Sequence, residues 1–467
     1  NMSNSYGYYK QNKYFVNPYI EVKFLKDFKF TANFYYDQFT NHHRWQPSDY
    51  KEQYSFNRTM TLSTPPTSTD MATYKVYDWE RREKYWKTNM LVSWAHTYGK
   101  HDVGALIGYE ESRNWGDEVD ICKEGMSSVN LTDFDAMTDP YYIKGSSYEY
   151  SSRSWFGRIN YAFDNRYLFE MNMRYDGSSR LDKDNRWEQF PSVALAWNAK
   201  QERFLRDVNF LSQLKLRVGY GETGNQAVEP YSAYTELEAT RDAQNHLALS
   251  TKRIGTPNLR WERTQQWNGG IDFGAFNNRL TVVIDGYYKK TRDLLLKVKV
   301  PGSSGFSSGL KNIGEVENKG FELAINATPI EGDFTWNTSL NLTYNKNKVL
   351  DLGDVSFIYP SQPGQDETGI HLGRIIQVGQ PLGTFYGYVY DGLFSTTDDI
   401  ASSAQPTAKP GDIRFKDLNG DGVINSEDRD FVGSPLPDCS MGLTLGFNYK
   451  NFDISAFFQG VFGNEVY

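Results

Sequence analysis

The stretch that decides the fold is residues 151–179, SSRSWFGRINYAFDNRYLFEMNMRYDGSS. In its first half Trp155, Gly157, Ile159, Tyr161 and Phe163 fall on one side of an extended chain. Arg158, Asn160 and Ala162 fall on the other, because successive side chains of a strand alternate. After Asp164-Asn165-Arg166 the alternation resumes, with Tyr167, Phe169, Met171, Met173 and Tyr175 against Glu170, Asn172, Arg174 and Asp176. The stretch reads as a long hairpin with one apolar and one polar side. Each arm has about ten residues, the length a tilted strand needs to cross a bilayer, and each apolar side begins or ends in an aromatic ring. The apolar side is expected to face lipid, and the polar side a water-filled or plugged lumen.

Composition agrees. Aromatic residues make up 16% of the 467 residues and tyrosine alone numbers 33, yet the chain is polar on average. A membrane barrel has this balance because only alternate residues meet lipid. No run of about eighteen apolar residues exists, which excludes a transmembrane helix. The net charge of −8 argues against a nucleic-acid footprint, which needs a basic stripe. Two cysteines, Cys122 and Cys439, are too few for a disulfide scaffold or a thiolate metal site.

Outward from the central hairpin the pattern repeats. Ile20, Val22 and Phe24 lead into a Leu25-Lys26-Asp27 turn, with Phe28, Phe30, Ala32, Phe34 and Tyr36 beyond it. Strands flank Tyr98-Gly99-Lys100-His101-Asp102. Later hairpins turn at residues 275–279, at 329–333 and at Lys450-Asn451. Phe204, Leu205, Val208 and Leu211 have helical spacing but are too few for more than a connector. Polar loops are expected from about Thr40 to Lys75, Asn114 to Tyr148 and Gly221 to Leu259. Short turns and long loops therefore alternate, which is the asymmetry of an outer-membrane barrel. The fold class is all-β, a transmembrane antiparallel β-barrel segment of about fourteen strands. A secreted β-rich adhesin or glycan-binding module, its aromatic faces packed on each other, is the alternative outside the membrane.

Four blocks, FGRINYAFDNRYLFEMNMRYDGSSR, FPSVALAWNAKQERFL, LKLRVGYGETGNQ and PGDIRFKDLNGDGVINSEDRDFVGSPLP, occur in the order and spacing of a known family. Over essentially residues 1–467 the chain resembles the SusC/RagA family of TonB-dependent outer-membrane transporters of Bacteroidetes. The resemblance implies an integral outer-membrane protein with a barrel of about 22 strands closed by an internal plug. It also implies a SusD-like surface lipoprotein as lid, energy from TonB, and active import of oligosaccharides without covalent chemistry, so not an enzyme. An oligopeptide importer of the same family and a passive porin are the alternatives. Nothing in the chain resembles the family's plug or TonB-contacting segment, and its last strands are missing too, so the sequence is expected to be a piece of a longer polypeptide.

Within residues 411–433 lies an EF-hand-like loop. Asp417, Asn419 and Asp421 alternate as oxygen donors, and Gly422 permits the turn. Val423 would offer its carbonyl, Asn425 a water-bridged contact, and Asp428 the last position, where an EF-hand has glutamate. Calcium in a structural role is the expected occupant. Trp45, Trp115, Tyr141, Tyr142 and Tyr359, all placed in presumed outside loops, are candidates for stacking on sugar rings or peptide side chains. His42, His43 and His371 lack metal-ligand spacing. GETGN near Gly221 is not followed by a helix and is not a phosphate loop.

Overall fold

The computed structural model describes residues 6–46, 75–126, 131, 133–241, 244, 246–300, 303, 305–306, 308–358 and 373–466. One antiparallel sheet of fifteen strands dominates it, and from the third strand onward each strand of the sheet pairs with the next along the chain. In order these are β1 (Tyr6–Val16), β2 (Tyr19–Phe24), β3 (Phe28–Gln46), β4 (Lys75–Tyr98) and β5 (His101–Met126). There follow β6 (Met137–Phe163), β7 (Tyr167–Ser178), β8 (Trp187–Asn198), β9 (Leu211–Asn225) and β10 (Glu262–Ala275). The last are β11 (Leu280–Arg292), β12 (Glu315–Ile330), β13 (Phe334–Asp351), β14 (Cys439–Tyr449) and β15 (Phe452–Phe462).

β1 and β2 both pair with β3 and behave as one strand interrupted at Asn17-Pro18, so the wall is crossed fourteen times. Pro18 has no N–H to give the ladder, but its carbonyl still accepts from the Phe34 N–H at 3.0 Å. The short turns lie where the sequence places them. Leu25 and Lys26 (φ 48° and 61°) and Asp164 and Asn165 (φ 52° and 53°) take the left-handed conformation that closes a tight hairpin. The connector before β9 is a single helical turn, Arg203–Arg206, after a 3₁₀ turn at Ala199–Gln201. The Lys200 ammonium donates to the carbonyls of Leu205, Arg206 and Val208 at 2.8–3.0 Å and holds the connector closed.

The long connections differ from the sequence reading. Residues 114–126 and 137–148, expected to be loop, continue β5 and β6 as a paired extension. These strands run for 26 and 27 residues, far beyond the ~9–11 a bilayer requires. Above the membrane both faces meet water, so alternation of apolar and polar residues fades and strand looks like loop. Likewise β3 reaches Gln46, and the loop after β9 contains a hairpin of Glu236–Arg241 with Leu247–Arg253.

The two faces of the wall part as the alternation predicts. Ile159 pairs with Met171 and Trp155 with Tyr175, and Ile159 and Trp155 are each 51% exposed on the outer face. Leu340 pairs with Leu443 and continues that face. Outer rings gather at two levels. Phe24–Phe28, Phe163–Tyr167 and Phe334–Phe447 lie near the short turns. Tyr109–Trp155, Tyr175–Trp187, Tyr220–Trp267 and Phe321–Tyr344 lie at the other level, with centroids 4.6–5.6 Å apart. Trp155 and Phe163 are eight residues apart along the strand. That is about 27 Å of strand, or roughly 20 Å of rise at barrel tilt, the scale of a lipid-facing band between aromatic girdles.

The inner face is a polar lattice. Arg217 on β9 reaches Asp272 at 2.7 Å and Asp285 at 3.0 Å, and Arg174 joins Asp176 at 2.6 Å and Glu110 at 3.2 Å. Gly270 lies in register between Arg217 and Asp285; a Cβ there would meet the Asp285 Oδ1 at 2.2 Å, so its missing side chain is what lets the bridge cross β10. Near the short turns this face borders an open space of about 970 Å³ lined by His96, Asn160, Asn172, Ser192, Arg217 and Asn268.

Candidate ligand wall and cation loop

The extension of β3 to β6 above the lipid band assembles one aromatic group from distant positions. Pairing places Trp45, Tyr77, Cys122 and Tyr142 side by side across four strands on the inner face. Trp45 and Tyr77 have centroids 5.7 Å apart, and Tyr77 and Tyr142 6.4 Å. Cys122, fully buried, sits between the two tyrosines, and its small side chain lets their rings close over it. The register slips at Cys122/Lys123 and leaves Tyr141 without a paired partner, exposed beside Tyr142 at 5.8 Å.

Charge surrounds this row in balance. Lys75 Nζ stands 3.3 Å over the Tyr141 ring and 3.8 Å from Glu124, and Lys144 Nζ stands 4.5 Å over Tyr142. The Tyr142 hydroxyl donates to Asp120 Oδ1 at 3.2 Å. Burial first, then the Asp120 carboxylate, pushes that hydroxyl up to about 12, and burial raises the Cys122 thiol as well. Both cysteines are free.

Three of the five sequence-predicted aromatics thus come together, although as strand residues and not as loop residues. Trp115 is a correction: it is on β5 but on the opposite, outer face, near Lys84 and Arg113 at 5.9 Å. Tyr359 and His371 lie outside the described residues. The sequence reading missed Tyr77, Lys75 and Asp120. No local pattern marked them, because both faces of this extension meet water and the alternation fades. His42 Nε2 hydrogen-bonds Asp78 Oδ1 at 2.9 Å, a contact between neighbouring strands and not a metal ligand set.

Lower on the same face Tyr148 and Tyr150 stack with centroids 6.4 Å apart, Arg180 covers Tyr150 at 3.7 Å, and the Tyr148 hydroxyl donates to Glu83 at 2.6 Å. These rings are already engaged by the protein's own groups.

The loop in which the sequence predicts a cation stands apart, in the long connection between β13 and β14. Its flanks are tied down by Ile413–Phe415, which pairs with Tyr390–Leu393, and by Arg429–Gly433, which pairs with Thr384–Tyr388. Carboxylate oxygens of Asp417, Asp421 and Asp428 lie within 4.8 Å of one another. Asp417 accepts from the N–H of Gly420 and Gly422 at 2.7 and 2.8 Å, and Gly422 takes φ 81° to make the turn. Asn425 caps a 3₁₀ turn, Ser426–Asp428, through the Glu427 N–H at 2.8 Å. Asp428 is buried and accepts from the N–H of Asn425 and Leu418 at 2.8 and 2.9 Å; these N–H groups, Asn425 foremost, hold its carboxyl below the usual range against the effect of burial. The Asn419 and Asn425 amides converge on Asp421 Oδ2 at 3.1 and 3.2 Å. An all-oxygen set of this kind fits a hard cation such as calcium.

A sheet with an apolar band between aromatic girdles outside, and a charged lattice inside, defines an integral β-barrel wall of an outer membrane. Residues 1–382 match the family model described as TonB dependent receptor-like, beta-barrel, and the chain belongs to that family, in its SusC/RagA type. It is 40% identical over 400 residues to TonB-dependent receptor P26 of Formosa agariphila, covering 82% of this chain and 39% of that protein. It is 38% identical over 400 residues to TonB-dependent receptor SusC of Bacteroides thetaiotaomicron, covering 81% and 38%. The chain therefore spans well under half the length of these curated relatives. In fold it is similar to the RagAB peptide transporter, with a TM-score of 0.82, 23% identity, and coverage of 98% of this chain and 48% of that one. Proteins of this family are transporters, not enzymes.

Proposed function

We infer that this chain forms part of the barrel wall of a TonB-dependent importer of oligosaccharides. It works with a SusD-like surface lipoprotein and takes its energy from TonB through segments outside this chain. The observation that carries the glycan reading is the aromatic row on the inner wall above the lipid band. The apolar C–H faces of sugar rings stack on such rings, while hydroxyls need donors and acceptors in near balance, as Lys75, Lys144, Asp120 and Glu124 supply. A peptide backbone finds less to hold. β3, β4 and β5 are paired along both edges, and the upper edge of β6 carries Pro140 and the slip at Tyr141, features that discourage strand addition.

Uptake of fluorescent oligosaccharides by cells, with and without TonB, tests this reading. Loss of uptake with surface binding retained is the expected result. Uptake at full rate without TonB would make the protein a passive porin, and competition by peptides but not by sugars would make it an oligopeptide importer.

Calcium in the 417–428 loop is the second part of the reading. Asp417, Asn419, Asp421 and Asp428 would hold it, with the Val423 carbonyl and a water on Asn425 completing the shell. Its role would be structural, fixing the long connection between β13 and β14. The amides of Asn419 and Asn425, which both donate to Asp421 Oδ2, support this reading, because they show that the carboxylate is turned toward the middle of the loop.

A further inference from the structure

We propose that Trp45, Tyr77 and Tyr142 form a three-ring shelf that captures about three consecutive sugar units of a linear chain before the chain descends toward the membrane. This rests on the glycan reading above and assigns its first binding site.

The spacing supports it. The three rings succeed one another at 5.7 and 6.4 Å along one row, so their span matches a short run of linked sugar rings and not a single ring. Register fixes the order of the row: Trp45 and Tyr77 are directly paired on β3 and β4, and Tyr77 and Tyr142, one strand further apart, lean together over Cys122 to reach 6.4 Å. Trp45 has a prepared seat. It pairs with Gly7 on β1, where a Cβ would approach its Cδ1 to 3.3 Å; the indole rests on bare backbone and remains 38% exposed. Polar groups border the row, with Lys144 and Lys75 on extended stems at one rim and Asp120, already holding the Tyr142 hydroxyl, beneath. The stacked pair Tyr148–Tyr150 deeper in the wall is covered more closely, by the Arg180 guanidinium at 3.7 Å against 4.5 Å for the Lys144 ammonium over Tyr142, and it has no ring comparable to the 38% exposed Trp45.

The test uses the full-length receptor, purified in detergent and titrated calorimetrically with mono-, tri- and hexasaccharides of the gluco-, xylo- and manno- series and with a casein peptide digest. In the series that binds, affinity is expected to rise steeply from mono- to trisaccharide and little from tri- to hexasaccharide. A Tyr77→Ala/Tyr142→Ala double variant should lose about tenfold, the loss expected for removing two stacking rings. Tyr77→Phe/Tyr142→Phe should retain affinity, because the rings remain. Trp45→Ala, at a half-open position, gives a second reading should the double variant fail to insert, and is expected to weaken the trisaccharide more than the monosaccharide. A sugar series that binds wild type and all variants alike overturns the shelf and leaves the import reading standing. Binding of peptides with no binding of any sugar overturns both.

Discussion

Tyr142 shows how a single residue is set by its neighbours. Its hydroxyl is raised by burial and by Asp120 to about 12, whereas an unfolded tyrosine titrates near 10. A folded value above the unfolded one means that this group's contribution to stability is fully present below about pH 10 and is lost as pH rises through about 12. An ultraviolet difference titration of wild type against Tyr142→Phe should therefore show one tyrosine ionising near the upper value, and Asp120→Asn should bring it down. Titration of that tyrosine at the ordinary value would contradict the burial of its hydroxyl against Asp120. Gly270 makes the complementary point about a side chain that is absent. Gly270→Val would drive Arg217 and Asp285 apart, at a cost of about 1–3 kcal/mol for an overfilled site. Urea unfolding from lipid vesicles measures it. Asp285→Ala, made together with Gly270→Val, should relieve part of the loss, because the two positions touch.

Elements were legible in proportion to how differently their two faces are solvated. Residues 151–179 alternate cleanly because one face meets lipid and the other water, and their turn, pairing and faces are as the sequence predicts. In the extension of β5 and β6 the same backbone carries Glu118, Asp120, Ser146 and Ser147 on faces that are both wet, and the pattern disappears. The placement of Trp45 beside Tyr77 depends on pairing across a long connection, which no local pattern reports. The clustering of Asp417, Asp421 and Asp428 was legible for the opposite reason, since it follows from spacing within twelve residues and needs no partner strand. Calorimetric titration of the full-length receptor with calcium chloride should show one site, in the range of about 10⁻⁴–10⁻³ M typical of extracellular modules. Asp421→Ala should abolish it, and hydrogen exchange across residues 411–433 should slow when calcium is added. Equal exchange with and without calcium would leave the loop as an acidic turn.

At the scale of the whole molecule, the wall is one sheet whose two solvents must not be interchanged, and neighbouring residues on one strand feel opposite media. Ile159 lies in the outer band, paired with Met171 and Ala105, while Asn160 lines the inner space with Arg217 and Asn172. Placing a guanidinium at 159 strands a charge in hydrocarbon, and near the middle of the band this costs roughly 2–4 kcal/mol. The same group at 160 enters a lattice that already holds Glu170 on the paired position, where it meets water and a carboxylate. Ile159→Arg should accordingly lower folding stability in lipid vesicles by that amount, and Asn160→Arg should change it by less than about 1 kcal/mol, as expected of a solvated pair. The comparison holds strand, depth and introduced charge constant and varies only the face. Equal losses at the two positions would mean that both faces meet the same medium. The reading of the sheet as a barrel wall between lipid and lumen would then fail, however well each strand is formed.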